Sequence, residues 1–325
     1  MGGGDFFSRI LAIISNVFEA YSVLLFLKGQ DGNYYLRSYF SLGNNVVEDC
    51  CIPPGKGLVG WIGKNRKPLV VPDFSRESRC LCYYLEKGEE KIKSFMGSPI
   101  LEERGVLCVD TKKTYSFTPR HEKMLHQFAD LIGTYLLEYE QMDILVEQQR
   151  YYRALCLISE LKKTHRTWDS YLYNFLKVIS SYTPFSHCLF VARDKRGTGY
   201  YVEKSNERLK GLEELKGELF NIHDGLIGWV FKNHREIVLS GSEEDMPASS
   251  LFGKLRMGRF RSIICLPMVV NRKTRGVLVL LDARPIEITE PMRDFLSLVK
   301  RYLTLFLEVL YFKNKLKKRK KSKKT

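Results

Sequence analysis

The chain has 325 residues, 44% of them hydrophobic and 27% charged, with a formal net charge of +15 at pH 7. That length fits two domains at about 100–200 residues each, and the composition is that of folded globular proteins rather than disordered or collagen-like ones. No apolar run reaches the roughly 18 residues of a bilayer-spanning helix. Met1–Phe6 lacks the features of a secretory signal, and Phe6 stands where a myristoylation signal has Ser or Thr, so a cytoplasmic location is expected.

In chain order, the apolar spacing from Phe7 to Phe18 predicts a helix. Tyr21–Lys28 and Asn33–Phe40 are β-rich and flank Gly29-Gln30-Asp31-Gly32, a hairpin signal. Val46–Ile52 reads as a third strand ended by Pro53-Pro54-Gly55, followed by a short helix near Gly57–Asn65 and a short strand at Pro68–Val71. Asp73–Glu90 is polar and loop-like. Ser94–Leu101 and Gly105–Asp110 form a second hairpin. A long helix begins after Thr118, with Thr118 as N-cap and Pro119 at the first helical position. The second half follows suit: a helix at Tyr171–Ser180, strands at Cys188–Arg193, Tyr200–Glu203 and Leu219–Ile222, and a hairpin of Ser262–Val270 with Gly276–Leu281. Hairpin strands flanked by helices predict an antiparallel α+β domain.

The chain repeats itself. Gly57-Leu58-Val59-Gly60-Trp61 recurs as Gly225-Leu226-Ile227-Gly228-Trp229, and Lys64-Asn65 recurs as Lys232-Asn233. Ser94 and Pro99 match Ser262 and Pro267, and Arg104-Gly105-Val106-Leu107 matches Arg275-Gly276-Val277-Leu278. Matches that keep order and spacing through separate segments indicate two copies of one domain. The division expected is 1–145 with a linker helix, 146–312, and a disordered basic tail at 313–325.

These residues resemble the GAF family. The resemblance rests on Gly55-Lys56-Gly57-Leu58-Val59-Gly60-Trp61 opening a short helix, Pro68–Asp73, Ser94–Ile100 with its Gly97 and Pro99, Gly105–Asp110, and the Phe117-Thr118 helix start. The second copy departs from it, with Asp224-Gly225 for the first Gly-Lys-Gly and Leu239-Ser240-Gly241 for the Val-Pro-Asp step. The resemblance implies a six-stranded antiparallel sheet flanked by helices in each domain, and a pocket between the sheet and the loops after its third strand. Relatives bind cyclic nucleotides, haem, bilins or small metabolites, or serve as dimerisation modules, and the fold does not say which.

On that basis the ligand-binding candidates are Asp73, Tyr83, Phe95 and Cys108, which combine polar and aromatic character at pocket-bordering positions. Phe95 also suits plain core packing. Cys50, Cys80 and Cys82 are candidates for a thiol site, although Cys80-x-Cys82 is not the usual metal-ligand spacing and adjacent Cys50 and Cys51 point to opposite faces of a strand. The other cysteines, Cys156, Cys188 and Cys265 among them, read as small buried hydrophobes. The paired glycines read as tight-turn and close-packing positions, since neither phosphate-loop fingerprint is present. No Cys-His pair for a bilin occurs, and Leu58 and Val59 stand where methionine-sulfoxide-reducing relatives have a cysteine. No catalytic residue, metal site or particular cofactor is assigned.

Met124, Phe128, Leu131, Tyr135, Tyr139, Met142 and Leu145, then Tyr152, Leu155, Ile158 and Leu161, make one stripe on a helix of about 45 residues. Such a stripe must be buried, and a parallel helix of a second chain is the expected cover, giving a homodimer. A last helix carries Met292, Phe295, Val299, Tyr302, Phe306 and Val309 and runs into Lys313–Thr325, which holds nine Lys or Arg and no acid. That end is either a solubilising tail or a contact for nucleic acid or an anionic membrane. The expected function is a non-catalytic sensory or regulatory signalling protein whose output passes through a partner protein. The alternatives are a nucleic-acid-associated regulator using the basic end, and a thiol-based redox sensor or enzyme.

Overall fold

A computed structural model of the protein describes residues 3–85, 88–207, 217–241, 251–253 and 260–322. The chain divides into two units, Met1–Met142 and Asp143–Thr325. The first begins with α1 (Gly3–Phe18) and continues β1 (Ser22–Lys28), β2 (Tyr34–Ser41), β3 (Cys51–Ile52), α2 (Gly57–Asn65), β4 (Leu69–Val71), β5 (Ser94–Ile100), β6 (Gly105–Thr111) and α3 (Pro119–Thr164). Its strands form one antiparallel sheet in the order β3-β2-β1-β6-β5-β4.

Side-chain alternation gives that sheet two cores. Val23, Leu25, Met96, Leu107 and Val109 face Leu11 and Ile14 of α1 and Leu125, Ala129 and Ile132 of α3. Leu24, Phe26, Phe95, Val106 and Cys108 face the opposite side, under Leu58, Val59 and Ile62 of α2. Burial on both faces explains why β1 and β6 read as continuous apolar runs rather than alternating ones.

The second unit repeats the plan with α4 (Trp168–Tyr182), β7 (His187–Arg193), β8 (Gly199–Ser205), β9 (Phe220–Asn221), α5 (Gly225–Asn233), β10 (Ile237–Ser240), β11 (Ser262–Val270), β12 (Lys273–Asp282) and α6 (Glu290–Ser322). The sheet order β9-β8-β7-β12-β11-β10 matches the first sheet strand for strand. Even the ends of α2 and α5 agree: Arg66 and His234 terminate them in left-handed conformations, with φ of 57° and 59°.

Three expected elements are corrected. The apolar run Val46–Ile52 pairs with β2 only at Cys51–Ile52, because Val47 donates to the Tyr83 carbonyl and Leu85 to the Asn45 carbonyl. Its backbone is thus shared between β2 and the 83–85 segment. α4 starts three residues early because Thr167 caps it, accepting from Ser170 N at 3.3 Å. α6 continues to Ser322, through most of the stretch expected to be disordered: a helix already held by Phe295, Val299 and Leu303 propagates into Lys and Arg, which are good helix formers. Only 323–325 of that stretch lie outside the described residues.

α3 splits the apolar stripe three ways. Its start packs in the first core, while Tyr151, Ala154 and Ile158 pack in a core of the second unit. Tyr139, Met142, Leu145 and Val146 lie exposed between them. Cys156 is exposed rather than buried, since it sits about 200° around the helix from Ala154. No described helix is long and apolar enough to cross a membrane.

Candidate functional site

The polar centre of the first sheet is Asp110, near the end of β6. Strand pairing sets it between Ser22 of β1 and Phe95 of β5, and alternation turns it to the same side as Val106 and Cys108, under α2. The segment before β5 covers it. A lone bridge between Val46 and Tyr84 and the hydrogen bonds at Val47 and Leu85 hold that segment down. Two consecutive phenols then reach one oxygen: Tyr83 Oη donates to Asp110 Oδ2 at 2.9 Å and Tyr84 Oη at 2.8 Å. Ser22 Oγ lies 2.6 Å from Tyr84 Oη and donates to it, because the tyrosine proton is committed to the carboxylate.

Asp110 has no exposed surface. Burial pushes its carboxyl up from 3.8 to about 7, against hydrogen bonds from Tyr84, Tyr83 and the Ser22 backbone that pull it down. The same burial, reinforced by the neighbouring carboxyl, holds the Tyr83 phenol and the Cys108 thiol well above their ordinary values. The cluster can therefore gain or lose one proton near neutrality, whereas Cys108 stays a thiol and is no nucleophile.

The other candidates divide. Tyr83, Phe95, Cys108 and Cys50 belong to one core, and Cys82 packs against it. Cys50 Sγ donates to the Cys82 carbonyl at 3.4 Å, and burial raises its pKa too. Cys80 and Cys82 are joined as a disulfide, so they stand together but not as two free thiols. Gly57 is required beside them: its φ is +61°, and a Cβ there would come within 2.5 Å of the Cys80 carbonyl oxygen. Asp73 lies outside this group. It caps the turn Phe74–Arg76, accepting from Ser75 N at 3.1 Å and Ser75 Oγ at 2.6 Å, and these bonds hold its pKa low. Asp110, Tyr84 and Ser22 are the residues that sequence reasoning missed. The available signal was an acid closing the apolar run Gly105–Asp110.

Comparison with known proteins settles the family. The GAF domain model matches residues 4–136 and again 167–303. The chain belongs to the GAF domain family. GAF domains are sensory and regulatory modules. The bacteriophytochrome RpBphP3 from R. palustris superimposes on 92% of this chain and 70% of its own, at 9% identity and a TM-score of 0.54. The GAF domain of a phosphoenolpyruvate-protein phosphotransferase from Coxiella burnetii covers 52% of this chain and 97% of its own (16% identity, TM-score 0.44), and the A. aeolicus nlh2 GAF domain covers 50% and 98% (17%, 0.40). At these identities the likeness is one of fold. A search of the curated proteins gives no match.

The second GAF domain lacks the acid. Ser94 pairs with Thr111 and Ser262 with Asp282, so the partner of Asp110 in the second copy is Leu281, fully buried among Leu189, Val191 and Ile263. Its own acid, Asp282, sits one residue later and turns to the other side. There it accepts from Ser186 Oγ at 2.7 Å and Arg284 Nε at 3.0 Å.

Proposed function

We propose that the protein is a non-catalytic sensory or regulatory tandem GAF protein that binds a small ligand, pairs with a second copy, or both, and passes its signal to a partner protein. The observation that carries this reading is the exposed middle of α3. Tyr139, Met142 and Val146 follow each other at steps of three and four, with Leu145 beside them, on a helix about 69 Å long. Burying each such side chain is worth about 1.5–3 kcal/mol, and a parallel α3 of a second chain would cover the stripe. Ligand entry to the first domain would displace the 80–85 segment, Tyr83 with it, from over Phe95 and Cys108, with Asp73 at its margin. Sedimentation and native mass spectrometry of the full chain test both parts. A dimer that becomes monomeric in Met142→Glu/Leu145→Glu, with both domains still folded, is the expected result. A wild-type monomer at tens of micromolar would remove the dimer, and mass in excess of the chain would reveal a ligand.

Two further readings each have one observation in their favour. The linked Cys80 and Cys82, beside Cys50, favour a thiol-based redox sensor; unchanged behaviour of Cys80→Ser/Cys82→Ser under oxidant dismisses it. The basic end of α6 favours contact with nucleic acid or an anionic membrane, which salt-insensitive or tail-independent binding dismisses.

A further inference from the structure

The duplication supplies an internal reference for every position. Leu27 pairs with Gly105 and Ala192 with Gly276, so Lys28 and Arg193 occupy the same place at the end of the first strand of each sheet. Arg66 and His234 likewise share the left-handed end of α2 and α5. In the first domain the tip of the β5–β6 hairpin places Glu103 between these cations: it accepts from Lys28 Nζ at 3.1 Å and pairs with Arg66. The corresponding tip in the second domain reads Asn271-Arg272-Lys273, with Lys273 the first residue of β12. Counted back from the shared Arg104-Gly105 and Arg275-Gly276, Glu103 corresponds to Thr274, and the second hairpin, three residues longer, carries Arg272 and Lys273 where the first carries acids.

An open concavity of about 630 Å³ lies there, between the β7–β8 turn, the end of α5 and the hairpin tip. Arg193, Lys232, Arg272 and Lys273 line it together with His223 and His234, and among the described residues no Asp or Glu lines it. Two neighbouring acids are engaged elsewhere. Asp194 spends its oxygens on the backbone N–H groups of Arg196 and Gly199, and Glu236 holds Lys300 at 3.0 Å. Arg193 donates through Nη2 to the Gly197 carbonyl at 2.9 Å, while its Nε–H is buried and meets no acceptor among the described residues. The His234 ring is fixed by Thr274 Oγ1 at 2.7 Å.

We propose that this concavity is an anion site of the second GAF domain, and that its ligand is a small phosphorylated compound carrying adjacent negative charges. The volume lies within the few hundred to a thousand Å³ of small-molecule sites. Four permanent cations call for more than one negative charge, and guanidinium groups converge on phosphate oxygens with matching geometry. Where the Glu103 carboxylate balances Lys28 and Arg66 in the first domain, Thr274 hydrogen-bonds His234 without bringing a charge, and the external phosphate supplies the negative charge instead. This site is distinct from the Asp110 cluster and independent of the dimer.

Titration calorimetry of the full chain at 150 mM salt, with inorganic pyrophosphate and with citrate as probes, tests the proposal. Removing one charged hydrogen-bond donor from such a site weakens binding about tenfold or more. Pyrophosphate is expected to bind at one site, to lose at least that factor in Arg193→Gln/Lys273→Gln, and to bind undetectably in Lys273→Glu, which places a carboxylate at the hairpin tip. The exposed Lys273 substitution keeps the test valid where loss of the half-buried Arg193 unfolds the domain. Lys313→Gln/Lys315→Gln removes the same charge from α6 and should change affinity less than about twofold. Absence of pyrophosphate binding at millimolar concentration, or equal loss in the α6 variant, overturns the site. Citrate binding as tightly and with the same sensitivity to Lys273→Glu overturns its assignment to phosphate.

Discussion

Replacing Asp110 by Asn should flatten the pH dependence of the first domain's stability. The carboxyl titrates at 3.8 when exposed and at about 7 in the folded domain, and each tenfold change in proton affinity is worth about 1.4 kcal/mol, so ionising it costs the fold on the order of 4 kcal/mol. The sign follows from an acid whose folded pKa is raised: between 3.8 and 7 the folded state holds the proton more tightly than the unfolded one. Stability therefore falls as pH rises through that window, and the full cost is present above 7. Roughly 3 kcal/mol of it accrues between pH 5 and pH 8, which at about 1–3 kcal/mol per molar urea lowers the midpoint by about 1–3 M. The acids of this domain with depressed values, Asp31, Asp73, Glu77 and Glu103, titrate below their ordinary values of 3.8 to 4.5 and do not mask the change between pH 5 and pH 8. Urea unfolding would be followed by the emission of Trp61, in a Trp168→Phe/Trp229→Phe background that silences the second domain. Asn keeps a carbonyl oxygen for Tyr83 and Tyr84 without charge, so the Asp110→Asn midpoint should stay level from pH 5 to 8 and exceed that of the parent at pH 8. A parent midpoint that does not fall with pH, or a variant that falls equally, would refute the account of this cluster.

Tyr83→Phe removes one of the two phenol donors to Asp110 and should cost about 1–2 kcal/mol at pH 8 and less at pH 5, since the hydrogen bond stabilises the ionised form; the same Trp61 titration reads it. Asp282→Asn acts with the opposite sign. Burial opposes ionisation there, but hydrogen bonds from Arg284 and Ser186 hold the carboxyl well below the usual range. The second domain should therefore lose stability as pH falls below about 4, and the variant should be about 2 kcal/mol less stable at pH 7 and insensitive to acid, as read from Trp229 emission.

The architecture was legible because repetition doubled every weak signal: the glycine-bounded helix, the two hairpins and the Thr118 cap each occur in a chain whose second half spells the same order. What could not be read was which apolar run pairs with which edge. Val46–Ile52 has strand composition, yet its hydrogen bonds go partly to residues 83–85, a long-range choice that local pattern does not encode. The site was half legible for the same reason. Tyr83, Phe95 and Cys108, which the family resemblance places beside the third strand and in the last hairpin, share one core, whereas Asp73 lies outside it. Asp110 passed as a motif residue because only the sheet register reveals that it faces inward beneath two phenols. The stripe along α3 was sound as periodicity, but it could not say that two of its three parts pack within their own domains.

The two domains make the strongest test of why Asp110 is tolerated. Burial alone disfavours it, and what offsets this is a set of donors: Tyr83, Tyr84 and, behind them, Ser22. At the matching place in the second domain, Leu281 pairs with His187 and Ile263 and lies among aliphatic side chains. Leu281→Asp would set the same carboxyl in the same fold without those phenols. If the donors are what make the acid acceptable, this substitution should cost about 3–5 kcal/mol at pH 8, the price of an uncompensated buried charge. The loss should shrink toward pH 5 as the carboxyl takes up a proton. Urea midpoints read from Trp229 decide it. A Leu281→Asp midpoint within about 0.3 M of the parent at pH 8 would mean that the fold itself accepts a carboxylate at this position, and the Tyr83–Tyr84 pair would lose its claim to be what distinguishes the first domain.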